Sequence, residues 1–504
     1  MGVIGALCKT LRDVKCGCCV SNRDPESGEV LPYTIADWDQ SWAVETCLRL
    51  GSAEFAETRV DSVTATAFGQ QGILSSMAKL QINYKEGTPA GPSTLIAKVT
   101  PVELQTRLLA RLFSLFSNEL RFYQKNTAEK LGINNNIPTI YFAHFDPKHV
   151  RYILLMEDVG RPTCDQLVGF SEEQSHLVVD TLSRFHAPFF NRLRASRADG
   201  MDWVVLLDDP ALDVNKLLGK VYSKGLPNLL ADMRNKDRYN LPVSDDLEAM
   251  LQGLAENFKA LQVAGEDAHE VTGNGLHTTL IHGDPRADNW FFDPCMLVDF
   301  QLTREGGPES DIGYYIMGGS MTTEMRRQHE LCLLRLYHER MLELLPAEMG
   351  AAYPLESCIL RYSQFCKTMF VQTATGKYEE NAARGERTIA LLRSMLERAT
   401  TACEDWDALG TQQRMLQHLT PEGTVDWKTV LSPEVAREVM AERGRQCLAL
   451  AADGPEMTAC RAMLAKAQKD NEAAKAAAPA EKGAGGAVAP TDVSVDVGEA
   501  LLGK

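Results

Sequence analysis

The sequence predicts an α+β fold of two lobes, with a small antiparallel-sheet lobe first and a large, mainly helical lobe after it. Between residues 57 and 156, short apolar runs are broken by Gly and Pro, which is typical of strands. After residue 160, apolar residues recur at helical spacing. A short stretch at 280–300 interrupts these helices, and the order of elements indicates a cleft between the lobes.

The elements predicted for the smaller lobe alternate between helix and strand. A helix is expected at about 35–50, because Thr34 and Asp37 resemble a capping pattern and apolar residues follow at near-helical spacing. Strands are predicted at 63–68, 73–84, 93–99, 140–145 and 151–156, with a helix at 103–129. These elements form a mainly antiparallel sheet with one inserted helix.

The rest of the chain divides into segments that differ in composition and in the spacing of apolar residues. Helices are predicted at 172–193, 209–222, 244–263, 323–345, 350–374 and 379–401. These differences predict five segments. They are a flexible, basic, Cys-rich leader at 1–31, a first lobe at 32–158, a helical lobe at 159–404, a helical extension at 405–468 and a tail at 469–504. The tail is rich in Ala, Gly, Lys and Pro, and this composition predicts disorder.

The charge of the chain argues against general nucleic-acid binding, and its cysteine content indicates the redox state of the thiols. The net charge is -16 and the pI is about 5.2, whereas a general nucleic-acid binder needs a basic footprint. The 13 cysteines are an odd number and mostly scattered, which favours reduced thiols in the cytoplasm. No run of 18 apolar residues is present, so no membrane-spanning helix is predicted.

The leader leaves membrane association open. Gly2 would be the acylated residue after loss of Met1, but Ala6 stands where the myristoylation pattern has Ser or Thr. Nearby cysteines are candidate palmitoylation sites, and stable attachment requires two acyl chains or one chain with a basic patch. The alternatives are therefore peripheral membrane association through an acylated N-terminus and a plain disordered leader. The cysteines concerned are Cys8, Cys16, Cys18 and Cys19.

Residues 280–301 read LIHGDPRADNWFFDPCMLVDFQ and contain the groups that phosphoryl transfer requires. Asp284 is predicted to orient an acceptor hydroxyl and accept its proton, and Gly283 before it permits a tight turn. Asn289 and Asp299 offer oxygen ligands of the kind that Mg²⁺ prefers. Apolar runs on either side of a central Asp-Pro pair predict a hairpin that brings Asn289 beside Asp299.

This segment resembles the catalytic loop and metal-binding strand of the aminoglycoside phosphotransferase and choline kinase superfamily. It is especially similar to the ecdysteroid kinase-like (CHK-kinase-like) branch, where Phe-Gln follows the second carboxylate, as after Asp299. The resemblance covers about residues 32–400. It implies a protein-kinase-like bilobal fold, an ATP-binding lobe at 32–158, a catalytic and substrate lobe at 159–404, and ATP and Mg²⁺ as cofactors.

The resemblance also assigns residues of the first lobe. Lys98 resembles the strand lysine that contacts ATP phosphates. Glu119 is similar to the helix glutamate that pairs with that lysine. Residues 154–158 resemble the hinge between lobes, where backbone groups of Met156, Glu157 and Asp158 meet adenine.

The predicted nucleotide loop is a weaker match. Gly69, Gly72 and Ser75 lie between two predicted strands, and Ser75 is a candidate donor to a phosphate. The loop lacks the glycine pattern of protein kinases, so a plain hairpin turn is the alternative.

Other polar residues near the motif are expected to be structural. His186 and His282 are interpreted as packing or hydrogen-bonding histidines. Asp311 is expected to cap a helix or support the catalytic loop. Arg286 and Arg304 are expected to be solvated or paired structurally, although either would be within reach of a phosphate or substrate.

The sequence therefore predicts an ATP-dependent small-molecule kinase. The acceptor would be a hydroxyl of a sterol, an amino alcohol or an aminoglycoside-like molecule, bound against the helices after residue 310. The main alternative is an ATP-binding pseudokinase or a membrane-tethered scaffold. A protein kinase is disfavoured because Gly283 replaces the usual Arg and no Ala-Pro-Glu activation segment is recognisable.

Overall fold

The computed structural model describes residues 22–24, 27–68, 75–101, 107, 110–111, 114–207, 214–261 and 276–477. It confirms the α+β prediction: a five-stranded antiparallel sheet occupies the N-terminal part, and the rest of the described chain is mostly helical. The sheet has the order β1-β2-β3-β5-β4. Its strands are β1 (Val60–Ala67), β2 (Ser76–Tyr84), β3 (Thr94–Val99), β4 (Ile140–Asp146) and β5 (Arg151–Glu157).

The two faces of this sheet bury different cores, because successive side chains of a strand point to opposite sides. On β3, Leu95, Ala97 and Val99 face a core shared with helix α1 (Ser41–Gly51). Ile96 belongs to the core that helix α2 (Leu115–Gln124) shares with the helical lobe. The same alternation places Lys98 on the α2 side of the sheet.

Most element boundaries in this lobe lie within three residues of their predicted positions. The helix expected at 35–50 is divided into a 3₁₀ turn, Ile35–Asp39, and α1. The helix expected at 103–129 is also shorter: α2 begins only at Leu115, after Ser114 with a φ of 55°, and α3 spans Thr127–Lys130. Part of that predicted helix lies outside the described residues.

The helical lobe contains two short antiparallel pairs around the predicted hairpin. Strand β6 (Thr279–Ile281) pairs with β9 (Arg304–Gly306), and β7 (Trp290–Phe291) pairs with β8 (Met296–Leu297). The helices here are α4 (Glu172–His186), α5 (Val214–Arg234), α6 (Asp245–Glu256), α7 (Glu309–Tyr314), α8 (Thr323–Leu344), α9 (Ala347–Ala351), α10 (Leu355–Ser363), α11 (Thr368–Ala374), α12 (Tyr378–Ala382), α13 (Glu386–Asp405), α14 (Ala408–Met415), α15 (Trp427–Val430), α16 (Pro433–Val439), α17 (Glu442–Ala449) and α18 (Pro455–Ala477).

Several helical predictions differ from the structure. Helix α4 ends at His186 instead of 193, α5 continues to Arg234 instead of 222, and α6 ends at Glu256 instead of 263. The helix expected at 350–374 is divided into α9, α10 and α11, and the one at 379–401 is interrupted before α13 at Gly385, which has a φ of 110°. The last helix, α18, continues through the predicted boundary at residue 468 and ends at Ala477. The tail that follows lies outside the described residues. Among the helices described, none is long and apolar enough to cross a bilayer.

Glu330 on α8 joins the C-terminal extension to the helical lobe. Its side chain is fully buried and accepts hydrogen bonds from Tyr362 and Trp406 at 2.7 and 2.9 Å. Arg326 and Arg443 neutralise its charge at 3.1 and 2.5 Å. One carboxylate therefore links helices α8, α10 and α17 and the residue that follows α13.

Replacing Glu330 with Ala should lower the free energy of unfolding by about 3–5 kcal/mol. The half-buried Arg443 would lose its carboxylate partner and the buried Arg326 would keep only Asp405 as a counter-charge. The buried donors of Tyr362 and Trp406 would also lose their acceptor. Denaturant unfolding measures this change. The exposed Glu348 provides the matched control, for which Glu348→Ala should stay within about 0.5 kcal/mol of the parent protein. Equal stability of the two variants would contradict the assigned role of Glu330.

Candidate active site

A buried lysine joins the sheet to the helical lobe. The ammonium of Lys98 lies 2.8 and 2.9 Å from the two carboxylate oxygens of Glu119 on α2. It also lies 3.1 Å from Asp299 Oδ1, a residue 201 positions later in the chain. The structure thus brings three of the predicted site residues into one ion-pair cluster.

The pKa values of Lys98 and Asp299 depend on each other's charge. Burial alone would lower the pKa of Lys98, but the carboxylates of Asp299 and Glu119 outweigh it and hold that pKa well above its ordinary value. Burial acts to raise the pKa of Asp299, yet Lys98 holds it below the ordinary value. Lys98 is therefore a cation and Asp299 a carboxylate at neutral pH.

The residues after Asp299 are packed directly on α2. Gln301 donates from Nε2 to Glu119 Oε2 at 3.2 Å, and Asn118 donates to the backbone oxygens of Gln301 and Thr303. The ring of Phe300 stacks on Phe122 with centroids 3.7 Å apart and an interplanar angle of 7°. Helix α2 and the segment after Asp299 consequently form one packed unit.

A second buried carboxylate fixes the loop that carries Asp284. Asp311 accepts hydrogen bonds from the backbone N–H groups of His282 and Gly283 at 2.7 and 2.9 Å, and from His186 Nε2 at 3.0 Å. The ring of His282 bonds to the Val298 carbonyl at 3.1 Å. These contacts confirm the structural roles predicted for His186, His282 and Asp311.

The side chain of Asp284 is largely shielded from solvent. Its side chain is 14% exposed, and Arg286 Nε lies 3.5 Å from Oδ2. Burial raises the pKa of Asp284 above the ordinary value, although Arg286 opposes this shift. The Tyr314 hydroxyl interacts with the same carboxylate. Oδ1 is buried and has no hydrogen-bond partner, so it is available to accept a proton from a bound hydroxyl.

The hairpin predicted after Asn289 is present, and it brings Val298 back beside Asn289. Trp290 pairs with Leu297, and the Val298 N–H donates to the Asn289 carbonyl at 3.0 Å. Asn289 donates its amide N–H to the Asp284 backbone oxygen at 2.8 Å, which leaves its amide oxygen as the available ligand. Asp299, with one oxygen paired to Lys98, has a second oxygen available.

These two oxygen ligands fit Mg²⁺, because that ion is commonly held by one or two protein groups together with nucleotide phosphates and water. Among the described residues, no group of three or more His, Cys, Asp and Glu side chains has the arrangement of a metal site. One amide oxygen and one carboxylate oxygen suit an ion that nucleotide phosphates also bind.

The predicted hinge lies at the end of β5, and two of its side chains are already engaged. The Glu157 N–H donates to the Thr139 carbonyl at 2.9 Å, and the Glu157 carboxylate accepts from the Thr139 N–H at 2.9 Å. Lys79 pairs with Asp158 at 2.7 Å. The Glu157 N–H is already bonded within the first lobe, and the contact of Met156, Glu157 and Asp158 with adenine stays a prediction.

The predicted nucleotide loop is described only at its end. Gly69 and Gly72 lie outside the described residues. Ser75 lies beside the hydroxyl of Tyr152, a fully buried residue whose surroundings include Lys98 and Glu119. The role of the loop in covering phosphates stays a prediction.

A family model described as ecdysteroid kinase-like matches residues 70–347, which is more than half of the chain. The chain belongs to the ecdysteroid kinase-like family. Members of this family are of the aminoglycoside phosphotransferase and choline kinase type, so the family confirms the resemblance and indicates a small-molecule kinase. No curated protein matches the chain at a significant level.

Solved structures similar to the chain include two kinds of kinase. One is a GDP complex of a mutant aminoglycoside 2'-phosphotransferase-IIIa, with 14% identity, a TM-score of 0.38, and coverage of 72% of this chain and 99% of that chain. Another is an ethanolamine kinase of Plasmodium vivax, with 12% identity, a TM-score of 0.35, and coverage of 70% and 84%. The similarity is distant at these values, and the two-lobed architecture is evident from the strands and helices of the ecdysteroid kinase-like chain itself.

Two residues of this ecdysteroid kinase-like site are not among those predicted to belong to it. Gln301 ties the segment after Asp299 to Glu119, and its place in the Asp-Phe-Gln motif is the available signal. Arg286 is paired with Asp284, which is one of the two states expected for it. Tyr314 reaches Asp284 from α7, and no local pattern in the sequence indicated this contact.

Gly283 is required by both the conformation and the space of the catalytic loop. Its φ is +84°, and an added Cβ would lie 2.5 Å from the Leu302 carbonyl oxygen. Gly423 has a similar φ of +79° but no atom within 4 Å of the same position. Gly423→Ala should therefore lower the free energy of unfolding by about 1–2 kcal/mol, the cost of the left-handed conformation alone.

Gly283→Ala should lower the free energy of unfolding by clearly more than Gly423→Ala, because the methyl group also displaces the Leu302 backbone. Urea unfolding of the two variants side by side measures the difference. Equal losses in both variants would show that the loop accommodates a side chain at residue 283.

Proposed function

We propose that the protein is an ATP-dependent phosphotransferase that moves the γ-phosphate of ATP to a hydroxyl of a small molecule, with Mg²⁺ as cofactor. The observation that carries this proposal is the arrangement of two carboxylates in contrasting surroundings. Asp299 is paired to the buried ammonium of Lys98, while Asp284 keeps a buried oxygen without a partner. The first arrangement suits a cation site, and the second suits a general base.

Lys98 would bind the phosphates of the nucleotide. Two carboxylates hold its ammonium, so the side chain is already ordered in the orientation that it would use. Phosphate oxygens would share that ammonium with Asp299. Adenine would lie against the backbone at Met156 to Asp158, and Gly69, Gly72 and Ser75 would cover the phosphates.

Asn289 and Asp299 would hold Mg²⁺ through their oxygens, and the ion supplies neutralisation of phosphate charge when bound. The hairpin keeps these two residues at a fixed separation through the Val298 to Asn289 hydrogen bond. The positions of both ligands therefore depend on the same short element.

Asp284 would orient the acceptor hydroxyl and accept its proton during transfer. Burial raises its pKa, which makes the carboxylate a stronger base than an exposed aspartate. Arg286 and Asn289 contact Oδ2 of this carboxylate, at 3.5 and 3.3 Å, and Oδ1 would be left for the hydroxyl.

The proposed acceptor class is a sterol, an amino alcohol or an aminoglycoside-like molecule. The family name refers to ecdysteroids, which are sterols, and the similar structures carry the names of aminoglycoside and ethanolamine kinases. The reaction type follows from the site, whereas the choice of acceptor depends on surfaces that diverge between relatives. An acceptor panel that includes all three classes is therefore the appropriate assay.

The competing proposal is an ATP-binding pseudokinase, or a scaffold attached to a membrane through an acylated N-terminus. The side chains of Lys98, Glu119, Asp284, Asn289 and Asp299 are all present, so no specific observation favours an inactive protein. Acylation would lie at residues outside the described part of the chain. Mass spectrometry of the N-terminus of protein from its native source tests it directly.

Asp284→Asn should lower phosphoryl transfer by roughly 10²- to 10⁴-fold, because the amide cannot accept the hydroxyl proton. Binding of Mg·ATP should persist in this variant. Asp299→Asn should instead weaken magnesium-dependent nucleotide binding, since the metal loses its charged ligand. Transfer is followed as the mass gain of one phosphoryl group across the acceptor panel and a metabolite extract, and nucleotide binding is followed by calorimetry.

The exposed Asp237 supplies the matched control, and Asp237→Asn should retain both transfer and binding. Full turnover in the Asp284→Asn variant would remove Asp284 from the proposed mechanism. Mg·ATP binding by the parent protein, without transfer to any acceptor, would instead favour the pseudokinase.

A further inference from the structure

The hairpin between the two proposed metal ligands has little internal support. Residues 290–297, here called the catalytic hairpin, contain only two ladder pairs, Trp290 with Leu297 and Phe291 with Met296. A two-stranded hairpin of this length is marginal by itself. Its position therefore has to be fixed by contacts from elsewhere in the chain.

Three side chains from separate parts of the chain bind the turn of this hairpin. Asn136 donates to the Cys295 carbonyl at 3.0 Å, and Arg161 donates to the Pro294 carbonyl at 3.1 Å. The Cys295 N–H donates to Asn471 Oδ1 at 2.6 Å. Cys295 is fully buried, so its N–H group would lack any partner if the Asn471 carbonyl were removed.

Asn471 comes from α18, which lies beyond the residues that the family model matches. Contacts along the length of this helix hold it against α4 and α8. Arg461 forms two hydrogen bonds to Glu339 at 2.9 and 3.0 Å, and Cys460 lies 3.2 Å from His176 Nε2. Asn471 is itself buried, so the register of α18 sets where its carbonyl oxygen lies.

We propose that Asn471 is a positioning residue for the magnesium site, and that α18 thereby contributes to Mg·ATP binding from outside the family region. The hydrogen bond to Cys295 holds the turn of the catalytic hairpin, and the hairpin holds Asn289 beside Asp299. The expected effect on magnesium-dependent nucleotide binding rests on the proposed function. The effect of Asn471 on the stability of the hairpin can be measured without any ligand.

Asn471→Leu removes the acceptor oxygen while keeping a similar side-chain volume. Hydrogen–deuterium exchange of the nucleotide-free protein should show the amides of the catalytic hairpin exchanging roughly tenfold faster, because a buried N–H has lost its partner. The magnesium concentration that half-saturates binding of a fluorescent ATP analogue should rise by roughly fivefold or more. Asn471→Asp, which keeps an acceptor oxygen, should restore most of both values.

Arg461→Met is the matched control, because it removes an ion pair of the same helix without touching the hairpin. Its hairpin exchange and magnesium dependence should resemble those of the parent protein, even where its stability is lower. Asn471→Ala serves as a second variant if leucine prevents folding. Unchanged hairpin exchange in the Asn471→Leu or Asn471→Ala protein, or an equal increase in Arg461→Met, would overturn the inference.

The two proposals fail in distinguishable ways. Faster hairpin exchange in Asn471→Leu, together with a parent protein that binds no magnesium nucleotide, would support the positioning role and remove the proposed function. Unchanged exchange, together with normal Mg·ATP binding by the parent protein, would remove the positioning role and leave the proposed function in place.

Discussion

The site depends first on the burial of one ammonium between two carboxylates. Lys98 belongs to the central strand of the sheet, Glu119 to the helix beneath it and Asp299 to the helical lobe. A buried charge without a partner is strongly unfavourable, so each of these groups constrains the positions of the other two. The approach of the two lobes and the position of Asp299, the carboxylate proposed to bind magnesium, are consequently fixed by the same contact.

A second buried carboxylate, Asp311, fixes the positions of its partners within the helical lobe. Asp311 satisfies two backbone N–H groups of the catalytic loop and one histidine ring, and the two histidines that supply donors, His186 and His282, are fully buried. Buried polar groups that are fully paired specify a single conformation. The loop that presents Asp284 can therefore be short and can contain a glycine in the left-handed region without losing its shape.

The sequence predicted the elements well where a local pattern determines them. Short apolar runs at 94–99 and 151–157, bounded by Gly and Pro, are enough to define the strands, and the Asp-Pro pair between apolar runs is enough to define the hairpin. The helix expected at 350–374 has two breaks. The first contains Pro354, which is a local signal, whereas the second, 364–367, contains no Gly or Pro, so no local signal marks it. Helix α18 continues past residue 468 and brings Asn471 to Cys295, a contact across 176 residues that composition cannot reveal.

The electrostatic surroundings of the two aspartates suit the two roles proposed for them, a metal ligand and a base. Lys98 lowers the pKa of Asp299, which keeps that carboxylate ionised and attractive to a cation. Burial raises the pKa of Asp284 more than Arg286 lowers it, so its affinity for a proton exceeds that of an ordinary aspartate. Two carboxyl groups with opposite pKa shifts are suited to opposite tasks. The division of roles in the proposed reaction therefore follows from the position of Lys98 beside Asp299 and from the burial of Asp284.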